Sequence, residues 1–221
     1  MKRIAPLLLV SGLCTACVGS VLKSDNEAPD LYRLAAPSAS GASAGTGPAL
    51  THAITVARPR SASSLDTERI AVTTPGHGFD YLAGARWADT APQMVQQMLV
   101  DTLMAGGRFA TAVAAPSRVP TDLLLEVELR HFEAIYASVG EPPRVLVQLQ
   151  VNLVDVRRGA RVASFESRAE ATAARNDRAA VVAATQVVLQ PYVEDDEQVP
   201  AAHLAHGQLR GARGSVGPRD R

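Results

Sequence analysis

The stretch Phe79-Asp80-Tyr81-Leu82-Ala83-Gly84-Ala85-Arg86-Trp87-Ala88-Asp89-Thr90-Ala91-Pro92-Gln93-Met94-Val95-Gln96-Gln97-Met98-Leu99-Val100-Asp101-Thr102-Leu103-Met104-Ala105-Gly106-Gly107 decides the fold. Its first part is a short segment bearing aromatic residues. Its second part places Ala91, Met94, Val95, Met98, Leu99, Thr102 and Leu103 on one helical face. The spacing predicts a helix over about 90–105, with Thr90 and Gln93 as a capping box, Pro92 in the first turn and Gly106-Gly107 as a left-handed stop. An apolar stripe of this kind needs a sheet to lie on.

Downstream strands supply one. Leu123, Leu125, Val127 and Leu129 alternate with Glu126, Glu128 and Arg130 until Phe132 and Tyr136 take the opposite phase, which a bulge near His131 would produce. Val145, Val147, Leu149, Val151 and Leu153 alternate with Gln148, Gln150 and Asn152, and Ala163, Phe165, Ala169 and Ala171 alternate with Ser164, Glu166, Arg168 and Glu170. Short turns at 140–143 and 157–159 predict an antiparallel meander with one wet face. Asn176 is placed to cap a C-terminal helix over about 177–190 that packs through Ala180, Val181, Ala184, Val187 and Val188, and Pro191 stops it.

Upstream, residues 31–34, 52–57 and 69–73 are short strand candidates, as is 108–114 after the main helix. The expectation is therefore an α+β fold, an antiparallel or mixed sheet with the two helices on one face.

The 221 residues are 47% apolar and 20% charged, enough for one core plus tails. The 22 basic residues balance 22 acidic ones, so no nucleic-acid footprint is expected. Removing residues 1–16, which hold Lys2 and Arg3, leaves 20 against 22. The only cysteines, Cys14 and Cys17, exclude a disulfide framework or a cysteine metal site in the body.

Residues 1–16 have the charged start and apolar run of a signal peptide, and that run is too short to span a bilayer. Leu13-Cys14-Thr15-Ala16-Cys17 resembles a bacterial lipobox, which assigns lipidation by acyl chains such as palmitate to Cys17. An ordinary signal peptide cut nearby is the alternative. One acyl chain binds a membrane marginally, whereas several hold firmly. Val18 in place of aspartate after the cysteine points to the outer membrane rather than the inner. Residues 17–30 serve as the lipidated tether, 31–190 as the folded domain, and the acidic then Gly/Arg-rich residues 191–221 as a tail expected to be disordered.

The segments Asp66-Thr67-Glu68-Arg69-Ile70-Ala71-Val72, 81–89 with the helix after it, Gly107-Arg108-Phe109, 149–155 and the closing helix resemble the ABC-type transport auxiliary lipoprotein component family, over roughly residues 30–188. The most specific part is Tyr81-Leu82-x-Gly84-x-x-Trp87. The resemblance implies a lipid-tethered periplasmic α+β domain that assists an ABC permease and ATPase whose substrate-binding subunit carries an MCE domain. It implies no enzyme activity and no cofactor. The chain departs from the family pattern where the apolar period weakens between Thr185 and Pro191, which a divergent end or a shifted reading frame would each produce, with a shortened helix as the result.

Tyr81 and Trp87 either pack under the helix or form a partner contact. The histidines at 52, 77, 131, 203 and 206 form no metal set, Gly76-His77-Gly78 lacks the phosphate-loop pattern, and no serine sits in a nucleophile elbow. Glu126 and Glu128 read as the solvated side of the meander rather than an acid/base pair. Arg157-Arg158 reads as a hairpin tip, with an anionic headgroup contact as its sharper alternative. Symmetric self-association would cover the sheet edges and Trp87. Two other functional classes fit these residues: a module that binds a lipid or small ligand between helix and meander, and a structural envelope lipoprotein.

Overall fold

The computed structural model describes residues 28–35, 51–76 and 78–189. The signal peptide, Cys17 and most of its tether, the run 36–50, His77, His203, His206 and the tail lie outside the described residues.

In chain order the elements are β1 (Asp30–Tyr32), β2 (Ala53–Val56), β3 (Arg60–Ser61), β4 (Arg69–Thr74), β5 (Gly78–Trp87), α1 (Ala91–Ala105), β6 (Thr111–Ala114), β7 (Leu123–Ile135), β8 (Arg144–Asp155), β9 (Ala160–Thr172) and α2 (Arg178–Leu189). The expected meander is present: β7, β8 and β9 pair antiparallel along their lengths. The register of β7 shifts between Leu129 and His131, where the alternation changes phase. Leu129 and Phe132 thereby both face the core, at 1% and 3% exposure.

The other edge of β7 is shared. Strands β2, β3 and β4 follow one another along it, all parallel to β7. At one end β2 goes on to pair parallel with β6, and at the other β4 pairs antiparallel with β5, which takes β1 as a parallel edge. The alternation within each short strand did not disclose these parallel pairings, because periodicity fixes which side chains face inward and not which strand lies alongside. The strand expected over 108–114 is confined to β6, and β3 was unforeseen.

One face of this sheet carries the core. Val145, Val147, Leu149, Val151 and Leu153 of β8 stand opposite Ala134, Phe132, Leu129, Val127 and Leu125 of β7 and are all buried. Both helices contribute to the same cluster, α1 through Val95, Met98, Leu99 and Leu103 and α2 through Val181, Val188 and Leu189. Each fully buried aliphatic side chain of this kind stabilises the fold by roughly 1.5–3 kcal/mol.

The helix ends differ from expectation in three places. The Thr90 side chain makes no cap bond; its hydroxyl accepts instead from Arg58 Nη2 at 3.1 Å, drawn away by the Arg58–Asp66 pair. Asp177, not Asn176, caps α2, its Oδ1 accepting the Ala180 N–H at 2.7 Å. Val187 is 54% exposed rather than packed. The left-handed stop of α1 falls on Gly107, at φ 64°. Helix α2 keeps its packing through the segment where the period weakened: Thr185 is buried with its hydroxyl donating to the Val181 carbonyl, and Leu189 is fully enclosed.

Candidate functional site

The motif of β5 is the most irregular part of the sheet. Arg69 stands opposite Arg86 and Ala71 opposite Tyr81, so residues 82–85 of β5 bulge against the single residue Ile70. Gly84 lies in the bulge at φ 67°, a conformation that a Cβ makes strained. A Cβ there would also meet the Arg178 guanidinium carbon at 2.7 Å. Arg178 passes over this bare backbone from the start of α2 and donates to Asp30 of β1 at 3.1 Å. Eight residues further along α2, Gln186 donates to the Ala35 carbonyl at 3.0 Å and accepts the Ala35 N–H at 2.8 Å. Residues 30–35 are thus fastened to β5 on one side and to α2 on the other.

The two aromatic residues of the motif separate. Trp87 is 1% exposed, packed against Phe132 with ring centroids 5.7 Å apart, and its backbone N–H donates to the Glu68 carbonyl. Of the two readings open for Trp87 this is the packing one: the indole lies in the core and offers no surface as a partner contact. Tyr81 stays partly exposed. Its hydroxyl donates to the Ser64 carbonyl, Arg69 stacks on its ring at 3.7 Å, and Phe79, 46% exposed, meets it edge to face at 5.4 Å. Phe79, Tyr81 and Arg69 form an amphipathic patch near the β4–β5 hairpin, with a cation held over an aromatic face.

A groove of about 380 Å³ opens between residues 33–35 and α1. Leu34, Met94 and Met98 give it apolar lining, and Arg33, Asp89 and Asp101 charge it. Neither it nor Arg178, Gln186 and Gln96 was found in the sequence. Gln96 is buried among the apolar residues of α1 and donates through Nε2 to the carbonyls of Val56 and Ala115. A polar residue inside an apolar helical stripe was the available signal for it.

The perturbed titratable groups belong to ion pairs and a cap, apart from one phenol shifted by burial. Asp66 is held below its ordinary range by the hydrogen-bonded Arg58 guanidinium, and Glu170 by Arg168 and then Arg144. Asp177 is lowered by the Ala180 N–H and by Arg175, while burial pushes the Tyr136 phenol up. Glu126 and Glu128 lie on the wet face, where Arg130 joins Glu128 to Glu166. His131 Nδ1 lies 2.6 Å from Glu133 Oε1, and Thr73 donates to the other oxygen of that carboxylate. Arg157 of the hairpin tip pairs with Asp122 at 2.6 Å. Among the described residues no three His, Cys, Asp or Glu side chains come together to hold a metal ion, and no helix is long and apolar enough to cross a membrane.

These features define an α+β domain whose polar clusters act in pairing and capping, with a partly exposed aromatic patch on β5 and a groove beside α1. The chain belongs to the ABC-type transport auxiliary lipoprotein component family, whose model matches residues 32–195. It is similar to a crystal structure of a Xanthomonas campestris protein of the DUF330 family, at 26% identity and a TM-score of 0.66 over 79% of this chain and 96% of that one. A crystal structure of an uncharacterized protein is similar in fold alone, at 17% identity and a TM-score of 0.54 over 74% of this chain and 94% of that one. No curated protein matches the chain. The family is one of lipoproteins that assist ABC-type transport.

Proposed function

We propose that this protein is a lipid-anchored accessory of an MCE-type ABC transporter for lipids or other hydrophobic solutes, and that it acts by docking and positioning. Acyl chains on Cys17 moor it to the periplasmic face of the outer membrane, and residues 17–30 form the tether. The observation that supports this reading is the stitching of residues 30–35. The first described strand after the tether pairs with β5 and is tied to α2 by Arg178–Asp30 and by both bonds of Gln186 to Ala35. A pull on the tether is thereby delivered to the sheet rather than to a loose arm.

Docking on the MCE-domain subunit uses the exposed Phe79 edge and the Tyr81 ring under Arg69. Carriage of a lipid between helices and meander is less well supported, because core side chains fill that space and the groove beside α1 is lined by charged and amide groups as well as apolar ones. Copurification of the full chain with the permease, ATPase and MCE subunit tests the reading. Phe79→Ser should cut MCE recovery at least about tenfold, an aromatic hot-spot loss of roughly 1.4 kcal/mol or more, with the fold intact. Unchanged recovery removes the patch from the interface; a wild-type chain that recovers no MCE subunit contradicts the docking role itself.

A further inference from the structure

Strand β9 is a sheet edge, pairing with β8 and with no other described strand. After a shift in register at its start it runs regularly from Ala163 to Thr172, ten residues without proline or bulge. A long, regular edge of this sort is a template for pairing, and natural sheets blunt or cover it. Phe165, Ala163, Ala169 and Ala171, which face the helix side, are left partly exposed by the open edge.

Beside that edge stands a helix flank without charge. Between Arg178 and Leu189, α2 contains no other ionisable residue, although Ala179, Ala183 and Val187 are exposed. Arg178 and Gln186 turn one flank toward residues 30–35. Helix α2 packs on β8 and β9 while β1 lies at the far end of the sheet, so the opposite flank, with Ala183 and Val187, is the one on the β9 side. Depletion of charge is a mark of interface cores.

We infer that the β9 edge and this flank of α2 form a two-fold interface with a second copy of the chain. Charge selects the register. An antiparallel pairing centred on Ser167 sets Glu166 opposite the Arg168 of the partner subunit, twice, and Phe165 opposite the partner's Ala169, while the regular residues 163–171 overlap in full. Centring on Glu166 or Arg168 opposes like charges across the axis, and centring on Ala169 shortens the overlap to residues 166–172. The helices then fit. With strands about 4.8 Å apart and α2 over the gap between β8 and β9, the two copies of α2 lie about 10 Å apart, at the upper end of ordinary helix packing. At that separation Val187, rather than the smaller Ala183, is the residue that reaches toward the partner helix.

The test is oxidative cross-linking of the full chain in its membrane. Glu166→Cys with Arg168→Cys should yield a disulfide-linked dimer, because directly opposed strand positions fall within bridging distance. Either substitution alone sets its thiols diagonally across the axis, out of reach, so the double variant should exceed each single variant and the wild type by about tenfold, the wild type correcting for Cys14 and Cys17. Both residues are exposed and lose only surface pairs, so the fold is kept. A monomeric double variant, or single variants that link equally well, overturns the interface. Adding Val187→Asp should lower the dimer yield several-fold; an unchanged yield removes α2 from it.

Discussion

The ladder β7–β8–β9 and the assembly of β1, β4 and β5 solve the same problem in opposite ways. The ladder is closed by two local connections, 136–143 and 156–159, and each strand pairs with its neighbour in sequence, so local alternation suffices to specify it. The β5 side is held by contacts between distant parts of the chain: Asp30 with Arg178, Ala35 with Gln186, Trp87 with Phe132. Its conspicuous sequence motif is consequently structural at two of its positions. Gly84 makes room for Arg178 and Trp87 fills the core, leaving Tyr81 and Leu82 as the motif side chains that stay partly exposed. A motif that invites a functional reading can be the joint by which a terminal strand is fixed.

Trp87→Ala should break the joint most severely. Loss of a buried Trp typically costs about 3–5 kcal/mol, read as a shift in the denaturant midpoint. The unpartnered indole N–H offsets part of that cost, so Trp87→Phe should be far milder. Next is Gly84→Ala, about 1–3 kcal/mol from the positive φ. Adding Arg178→Ala separates crowding from backbone strain: if crowding dominates, the double variant loses less than the sum of the singles. Hydrogen exchange should show residues 30–35 opening in either variant while β8 stays protected. Equal opening of both regions would erase the distinction between them.

The smallest effect is acid sensitivity. A carboxyl whose folded pKa is depressed contributes stability above its unfolded pKa, about 4, and that stability is lost as pH falls through the folded value. Asp66, Glu170 and Asp177 all have this sign. Asp66→Asn should therefore flatten the loss of stability below about pH 4 while leaving the slope above pH 6 unchanged. Because Arg58 and Asp66 are both more than a third exposed, the change should be small and should shrink in salt.

Legibility followed the same division. The helices, the meander, its wet face and the bulge beside His131 were readable because each is written in a local period. The Thr90 cap was misread because Arg58, distant in sequence, competes for the hydroxyl, and the Asn176 cap because Asp177 next to it offers an acceptor that Arg175 and the Ala180 N–H already hold ionised. Trp87 left two readings open because an aromatic residue after a glycine looks alike in a core and at an interface. The parallel pairings of β2, β3 and β4 depend on how a broken strand lies along β7, and Gln96 matters only once Val56 and Ala115 are neighbours.

Mooring through Cys17 is tested most directly by fractionating cells that express the full chain with Cys17→Ser. The account predicts that the wild-type protein sediments with outer-membrane vesicles and the variant appears in the soluble periplasmic fraction, still folded and still able to recover the MCE subunit. A variant that remains with the membrane as the wild type does would contradict it.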